Sequence, residues 1–453
     1  MIVMKFGGTS VQDAEAMEQV VSIVKSKLSR RPIVVVSAMA QVTDTLIKCA
    51  ELARQGRESE SDRLIEDTLR ARHHETITKL IHESPRRRLA ERAIDKHLDE
   101  VTALVHGLAI LCELTPRSLS AVSSYGERLS STIISEAMRE RDVNAELVDA
   151  RQIVITDDNY SNAAPLMELS EARCRELLSP LLEAGSVPLT QGFIGSSVEG
   201  ITTTLGRGGS DYSAAIIGAM LGAEVIEIWT DVDGVLSADP RIVPEARLLE
   251  TVTFQEASEL AYFGAKVLHP STILPAVKKN IPVHVYNTKR PESPGTHIIS
   301  GKNGEGWNGA VKSIASKKGI TIINVYSTRM LLAHGFLKSI FDVFDKFETP
   351  VDIVSTSEVN VSLTIDNTTN LQSILNELRE FSSVTFEQDK AIVCVVGEKM
   401  RDTPGMAARV FSSIRDANVK MISQGASEIN LSFVVNEADV PTVVRKLHRE
   451  FFR

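Results

Sequence analysis

The chain has 453 residues, a length that allows about three domains, each able to bury its own core. Its 50 basic and 59 acidic side chains give a formal charge of −9, which excludes a general attraction to nucleic acid or to anionic membranes. The four cysteines form no CxxC pair, so we expect neither a zinc site nor a disulfide framework. No apolar stretch reaches the roughly 20 residues of a membrane-spanning helix, and the N-terminus has no secretory signal pattern, so we expect a cytoplasmic protein.

The first predicted element is a strand over residues 2–6 that runs directly into a Gly-Gly turn. The sequence Lys5-Phe6-Gly7-Gly8-Thr9-Ser10 precedes an amphipathic helix. Two glycines let a ligand approach the backbone, and the N-terminus of the helix offers free N–H groups to an anion. The motif therefore predicts a phosphate site, and a plain turn capped by Thr9 or Ser10 is the alternative.

Short β-rich runs alternate with long helical stretches between residues 1 and 296. After the first strand, the runs lie at residues 33–37, 187–189, 225–230 and 281–286. This alternation predicts a parallel sheet with helices on both faces. A charged, glycine-poor stretch from about 45 to 115 interrupts it with apolar residues at helical spacing, so we expect an inserted helical subdomain there.

A second glycine-rich element, with the sequence Leu-Gly-Arg-Gly-Gly-Ser-Asp, lies at residues 205–211 and opens another predicted helix. Arg207 can bind a substrate carboxylate through two parallel hydrogen bonds, and Asp211 can orient the cations that neutralise a transferring phosphoryl group. Two such loops in one domain favour phosphoryl transfer over a flexible hairpin whose aspartate caps a helix.

The run Trp229-Thr230-Asp231-Val232-Asp233-Gly234 leaves a different class of enzyme open. An Asp-x-Asp-Gly sequence after an apolar strand is typical of haloacid-dehalogenase-type phosphatases, in which Asp231 would be the nucleophile. We interpret the run instead as a strand end that borders a nucleotide. No cluster of His, Cys or Asp has the spacing of metal ligands, so we expect no protein metal site and Mg²⁺ carried by ATP phosphates and water.

Residues 291–309 break every periodicity and end the first domain. Beyond them the chain repeats itself, since residues 335–341 match residues 405–411, and residues 357–362 match residues 427–432. Each copy predicts a strand, a helix that begins at a glycine, and further strands. The C-terminal third therefore consists of two copies of one small α+β unit.

Five motifs resemble those of the aspartokinases and occur in the same order. They are Lys-Phe-Gly-Gly-Thr-Ser-Val at 5–11, Gln-Gly-Phe-Ile-Gly at 191–195, Thr-Thr-Leu-Gly-Arg-Gly-Gly-Ser-Asp-Tyr at 203–212, Trp-Thr-Asp-Val-Asp-Gly at 229–234 and Phe-Gly-Ala-Lys-Val-Leu-His-Pro at 263–270. The resemblance spans nearly the whole chain. It implies an α/β amino-acid kinase fold with a parallel-rich central sheet, followed by two ferredoxin-like ACT domains. The two C-terminal units resemble the ACT domains of the lysine-sensitive, monofunctional type. Because the chain stops at Arg453, soon after the repeat, we expect no fused homoserine dehydrogenase.

The resemblance implies that the chain phosphorylates the side-chain carboxylate of L-aspartate with ATP, the first step towards lysine, threonine and methionine. Lys5, Arg207 and Asp211 would be catalytic, with the Gly7 and Gly8 amides on the transferring group. ATP would contact Lys5, Gly7, Gly8, Ser10, Thr230, Asp231, Leu236, Arg241, Lys266 and Val267. Aspartate would contact Ser37, Thr43, Glu127, Arg207, Gly208, Gly209 and Ser210. Leu236 stands where many relatives have tyrosine, so we expect ATP binding weaker by about 1 kcal/mol.

The resemblance also implies a lysine effector site in the first ACT domain. Its residues would be Met330, Gly335, Phe336, Leu337, Val351, Asp352, Ser357 and Glu358. Asp352 and Glu358 would pair with the ammonium groups of the effector. Leu332 and Ala333 replace a polar His-Ser pair of some lysine-inhibited relatives, which leaves threonine or another effector open.

The implied domains are a kinase domain at 1–296, a linker at 297–310, a first ACT domain at 317–388, and a second at 311–316 plus 389–453. Two chains would pair through the ACT domains into a homodimer, with a tetramer as the larger option. Three alternatives stay open: another amino-acid kinase, the phosphatase, and a non-catalytic amino-acid sensor.

Overall fold

The computed structural model describes residues 1–82, 84–264, 268–301, 311–328 and 334–452. The chain divides into two compact units. The first unit comprises Met1–Gly234, Glu250–Phe254 and Leu268–Gly301. The second comprises Val235–Leu249, Gln255–Val267 and Lys302–Arg453.

The strands are β1 Ile2–Phe6, β2 Pro32–Val36, β3 Ala145–Val148, β4 Ile155–Thr156, β5 Val187–Gln191, β6 Ile194–Ser197, β7 Thr202–Thr204, β8 Val225–Thr230, β9 Thr251–Thr253, β10 Val283–Asn287, β11 Thr296–Ile299, β12 Val311–Tyr326, β13 Val354–Thr356, β14 Asn360–Ile365, β15 Ser383–Gly397, β16 Met421–Gln424 and β17 Asn430–Asn436. The helices are α1 Ala14–Ser26, α2 Val42–Arg54, α3 Glu58–Arg63, α4 Ala71–Leu80, α5 Pro85–Leu111, α6 Pro116–Ser123, α7 Tyr125–Glu140, α8 Ala150–Ile153, α9 Met167–Glu183, α10 Gly209–Leu221, α11 Phe254–Tyr262, α12 Leu274–Lys278, α13 Phe336–Lys346, α14 Leu371–Arg379, α15 Met406–Ser413 and α16 Val440–Phe451.

The first unit is built on an eight-stranded sheet in the order β3-β5-β2-β1-β8-β10-β11-β9. The six strands from β3 to β10 in this order are parallel, and β11 runs antiparallel to β10. Every residue of β1 and β2 is buried, as expected for strands with helices on both faces. The predicted parallel sheet is therefore confirmed. The first unit also contains a separate three-stranded sheet in the order β4-β6-β7.

From Val42 to Leu111 the chain is mainly helical, through α2 to α5, with a π-helical segment over Leu64–Arg70. On α5 the buried residues recur at helical spacing: Ala90, Ile94, Leu98, Val101, Val105 and Leu108. This apolar stripe joins the same core as β1, β2 and α7. The helical periodicity of the sequence is thus explained by burial against the core of the first unit.

The second unit contains a six-stranded antiparallel sheet in the order β13-β14-β12-β15-β17-β16. The two sequence repeats share this sheet because β12 and β15 are long enough to serve both. The first part of β12 pairs with the end of β15, and its later part pairs with β14. Gly335 and Gly405 precede α13 and α15 with φ of 83° and 79°, as the glycine-initiated helices of the repeat predict.

The cysteines Cys49, Cys112, Cys174 and Cys394 are all free thiols. Within the described ranges, no helix is both long enough and apolar enough to cross a membrane. The cytoplasmic location and the domain boundaries stay predictions.

Candidate active site

Three adjacent parallel strands end at one edge of the central sheet. β1 pairs with β2 on one side and with β8 on the other. The residues that follow these strands, Gly7, Ser37 and Asp231, therefore lie at the same edge. In open parallel sheets, ligands bind beyond the carboxyl ends of the strands. This edge is where the sequence motifs of the first unit converge.

Lys5 is a buried cation on the central strand β1. Only 8% of its surface is exposed, and its Nζ lies 2.6 Å from Oδ1 of Asp211 in the first turn of α10. A side chain on Gly7 would approach Nζ of Lys5 to 3.5 Å, so the glycine keeps the space beside the ammonium open. Two of the predicted catalytic residues, distant in sequence, are thereby in direct contact.

The Gly-Gly turn is held against its neighbouring loops by backbone hydrogen bonds. The N–H of Gly7 donates to the carbonyl of Trp229, and the carbonyl of Gly8 accepts from the N–H of Ala40. The Gly7 amide thus has a protein acceptor, and its contact with the phosphoryl group stays a prediction. The Gly8 amide, at the first position of the 3₁₀ turn Gly8–Val11, is better placed for an anion.

Glu127, in the first turn of α7, is an almost fully buried carboxylate. It is 4% exposed, and its Oε1 accepts the N–H of Ala38 at 3.2 Å. Its Oε2 has no hydrogen-bond partner among the described residues. Burial raises the pKa of Glu127 to about 8, because the charged form loses its hydration. A buried carboxylate with one open oxygen is suited to bind an ammonium group.

The glycine-rich loop at residues 205–211 is tightly packed. Gly206 and Gly208 have φ of 75° and 72°, in the left-handed region. A Cβ on Gly208 would lie 2.7 Å from Thr272, so a larger residue does not fit there. Arg207 is exposed and forms no ion pair with any residue that the structure describes, so its guanidinium is available to a ligand.

These parts enclose a cavity of about 310 Å³ in the first unit. Its lining residues are Lys5, Ser37, Thr43, Glu127, Phe193, Gly206, Arg207, Gly208, Gly209, Ser210 and Asp211. The cavity contains the predicted aspartate-binding residues and the predicted catalytic residues together. A hydroxyl of Ser130 donates to the carbonyl of Ser37 at 2.7 Å and holds that loop in place.

Sequence reasoning assigned no role to Phe193, although it lines this cavity. The residue has φ of 67°, and its N–H donates to Oγ of Ser213 on α10 at 3.0 Å. Its ring would meet a Cβ on Gly209 at 2.7 Å. The Gln-Gly-Phe-Ile-Gly motif at the end of β5 was the available signal, and its Gly192 has no room for a side chain because a Cβ there would lie 2.6 Å from Cβ of Ser210.

A second cavity, of about 350 Å³, lies on the α1 side of the Gly-Gly turn. It is lined by Thr9, Ser10, Gln12, Asp13, Glu15, Ala16, Gln19, Thr230, Asp231, Thr288 and Lys289. Three predicted ATP residues, Ser10, Thr230 and Asp231, therefore share one pocket. Ser10 also hydrogen-bonds to Thr288 through the two hydroxyls at 2.7 Å.

Other predicted nucleotide residues are not placed in this pocket. Leu236 and Arg241 belong to the second unit, where Arg241 pairs with Asp239 at 2.7 Å. Lys266 and Val267 lie outside the described residues.

Asp233 bears on the phosphatase alternative. Nδ2 of Asn287 donates to Oδ1 of Asp233 at 2.7 Å, and Arg290 pairs with Oδ2. Both oxygens of the second aspartate in the Asp-x-Asp motif are therefore engaged by protein groups. This arrangement fits a strand-end turn and disfavours a phosphatase site.

The predicted effector residues lie in the second unit. Asp352 has a side chain that is 2% exposed, and its Oδ1 is 2.8 Å from Nζ of Lys317 and accepts the hydroxyl of Tyr262 at 2.7 Å. Its Oδ2 has no hydrogen-bond partner in the described part of the chain. Leu337, Ser357 and Glu358 are exposed, Phe336 and Val351 are half-buried, and Gly335 precedes α13. Met330, Leu332 and Ala333 lie outside the described residues.

Comparison with known proteins decides the family. Residues 1–287 match the amino acid kinase family, and residues 393–451 match an ACT domain. Lysine-sensitive aspartokinase 3 of Escherichia coli strain K12 is 37% identical, over 100% of this chain and 99% of that protein. The chain belongs to the aspartokinase family.

Solved structures agree with this membership. The crystal structure of E. coli aspartokinase III with aspartate and ADP, described as its R-state, covers 100% of both chains at 36% identity, with a TM-score of 0.86. The structure of that protein with lysine and aspartate, its T-state, has a TM-score of 0.82 at 36% identity and also covers 100% of both chains. For this aspartokinase, the predicted fold, the aspartate kinase activity and the use of a nucleotide are thereby confirmed. The roles of individual site residues stay predictions.

Proposed function

We propose that this aspartokinase transfers the γ-phosphoryl group of ATP directly to the side-chain carboxylate of L-aspartate, in the cavity that Lys5 and Glu127 line. One observation carries the proposal: a buried cation and a buried carboxylate with an open oxygen lie in the same cavity of about 310 Å³. A transferring phosphoryl group requires the cation. A zwitterionic amino acid requires the carboxylate.

Aspartate is oriented by contacts to its two α-groups. Glu127 binds the α-ammonium through Oε2, and the free guanidinium of Arg207 binds the α-carboxylate. Ser37 and Thr43 add hydroxyl groups from the loop between β2 and α2. The crystal structure of E. coli aspartokinase III, which holds aspartate and ADP, supports this pair of ligands at 36% identity.

Phosphoryl transfer then depends on position and charge, not on a protein nucleophile. The side-chain carboxylate of aspartate is already nucleophilic, so no general base is needed. Lys5, the Gly8 amide and the N-terminus of α10 stabilise the charge on the equatorial oxygens of the transferring group. Asp211 keeps the ammonium of Lys5 in place at 2.6 Å.

Mg²⁺ accompanies the nucleotide in this proposal. In the described ranges, no three His, Cys, Asp or Glu side chains lie close enough to hold a metal ion. The carboxylate of Asp211 lines the cavity and fits an ion that is bound through water. Such an ion supplies charge neutralisation between phosphate groups.

The substrate assignment is tested by trapping the product. Purified protein with Mg-ATP and aspartate should form aspartyl hydroxamate in the presence of hydroxylamine, and glutamate or acetylglutamate should give little product. Turnover of glutamate or acetylglutamate without turnover of aspartate would overturn the assignment. Asp231→Asn should retain turnover, since a phosphatase nucleophile at this position would make that variant inactive.

We also propose lysine as an inhibitor that binds the second unit. Asp352 supports this, because its buried carboxylate has an open oxygen and already binds the ammonium of Lys317. Lysine-sensitive aspartokinase 3 and the lysine complex of E. coli aspartokinase III support the choice of ligand. Turnover should fall as lysine is added, and inhibition by threonine alone would overturn the choice.

A homodimer through the six-stranded sheet completes the proposal. Large apolar side chains are exposed on its strands, namely Tyr326, Val354, Phe386 and Ile422. Apolar side chains that are exposed in one chain leave water when two chains associate. Sedimentation should give twice the mass of one chain, and a monomer at micromolar concentration would overturn this part.

A further inference from the structure

Arg72 connects the helical insertion to the active-site edge of the sheet. The residue lies on α4, and its guanidinium is half-buried. Its Nη1 donates to the carbonyl of Ala40 at 2.7 Å, and its Nη2 donates to the carbonyl of Gln12 at 2.8 Å. One side chain therefore holds two backbone groups that come from different loops.

One of these loops lies beside the phosphoryl group, and the other carries residues for the acceptor aspartate. Gln12 follows the 3₁₀ turn Gly8–Val11, which continues the Gly-Gly turn beside the phosphoryl group. Ala40 lies between β2 and α2, in the loop that carries Ser37 and Thr43 for the acceptor. The distance between donor and acceptor atoms depends on how these loops are placed against each other.

Contacts between the loops are close, so a shift in one reaches the other. The N–H of Ala40 donates to the carbonyl of Gly8 at 3.1 Å, and a Cβ on Gly8 would lie 3.0 Å from the carbonyl oxygen of Ala38. Gln41 has φ of 70°, a left-handed conformation that is unfavourable for a residue with a side chain. Arg72 binds the carbonyl of the peptide that precedes Gln41 and so holds this conformation.

We propose that Arg72 is a positioning residue for phosphoryl transfer, which fixes the acceptor loop against the phosphate turn. The proposal rests on the reaction assigned above. A planar guanidinium holds two acceptors at a fixed separation, whereas a lysine ammonium does not. A misplacement of about 1 Å lowers a rate by about 100-fold. Loss of Arg72 therefore lowers kcat more than it changes substrate binding.

The test compares Arg72→Ala and Arg72→Lys with Arg70→Ala. Arg70 is a matched control two residues earlier, because its ion pairs with Glu66, Asp95 and Asp99 stay within the insertion. The measurements are kcat, KM for aspartate and for ATP, and the thermal midpoint, each with and without millimolar guanidinium.

Arg72→Ala should lower kcat by about 30- to 100-fold and leave each KM within about 3-fold of the wild-type value. The kcat of Arg72→Lys should exceed that of Arg72→Ala by less than about 10-fold. Guanidinium should restore kcat of Arg72→Ala at least about 5-fold and leave Arg70→Ala unchanged. A kcat within about twofold of wild type for Arg72→Ala, or a loss that guanidinium does not restore, overturns the proposal.

Hydrogen exchange separates this proposal from the assigned reaction. Amides of residues 8–12 and 37–43 should exchange faster in Arg72→Ala than in Arg70→Ala, whatever the substrate is. Equal exchange in the two variants overturns the positioning role. If Arg72→Ala exchanges faster but the wild type does not phosphorylate aspartate, the contact between the loops is supported and the proposed reaction is refuted.

Discussion

Lowering the pH below 8 is expected to weaken aspartate binding through Glu127, because the substrate ammonium requires an ionised carboxylate. Burial raises the pKa of Glu127 to about 8, so about one tenth of the free enzyme has this group ionised at pH 7 and about one hundredth at pH 6. KM for aspartate should therefore rise about 10-fold per pH unit below 8, equal to about 1.4 kcal/mol per unit. Above pH 8 the dependence should level off.

Initial rates from pH 6 to 8.5 at saturating Mg-ATP give KM and kcat separately. Saturating aspartate restores the ionised form of Glu127, so kcat should change far less than KM. Glu127→Gln should raise KM and remove its pH dependence. Glu136→Gln is the matched control, since Glu136 lies on the same helix and pairs with Arg139 at 2.6 Å, away from the cavity. It should keep the wild-type slope.

The reasoning is refuted by a KM for aspartate that stays constant between pH 6.5 and 8 in the wild type. It is also refuted if Glu127→Gln keeps the full pH dependence. In either case the group that binds the ammonium is not a carboxylate with a pKa raised by burial.

Three further substitutions have defined outcomes. Gly8→Ala should lower kcat about 10-fold in the same rate assay, because the added Cβ would lie 3.0 Å from the carbonyl oxygen of Ala38 and displace the phosphate turn. Arg207→Lys should raise KM for aspartate about 10-fold, because a lysine cannot bind a carboxylate through two parallel hydrogen bonds; an unchanged KM would contradict this role. Lys317→Met should lower the lysine concentration for half-inhibition about 5-fold, since a competing pair with Asp352 worth on the order of 1 kcal/mol is removed; inhibition curves that coincide with wild type would count against it.

Much of the first unit follows from local sequence patterns. The strands β1 and β8 have the predicted bounds, because runs of apolar residues next to glycine turns are strong local signals. The positions of the glycine loops also follow, since each opens a predicted helix. The contact of Lys5 on β1 with Asp211 in the first turn of α10 brings the two loops together.

The remaining features depend on contacts between residues that are distant in sequence. Nothing next to Gly7 in the sequence indicates that its amide donates to Trp229, and the resemblance suggested a free amide. Arg72 lies in ordinary local sequence, and the motif around Phe193 does not indicate its role, because the contacts of both residues depend on packing between elements. The sequence repeat predicts two units, but only pairing along β12 and β15 shows that the two repeats share one sheet.

Single-turnover transfer of labelled γ-phosphoryl from ATP to aspartate tests the central claim most directly, with wild type, Lys5→Ala and Lys25→Ala compared. Lys25 is a surface lysine of α1 that hydrogen-bonds to the carbonyl of Arg141. Lys5→Ala should reduce the transfer rate by about 1000-fold, while the dissociation constant for aspartate changes less than about 10-fold. Lys25→Ala should transfer at the wild-type rate. Transfer by Lys5→Ala within about 10-fold of wild type would contradict the claim that Lys5 stabilises the transferring phosphoryl group.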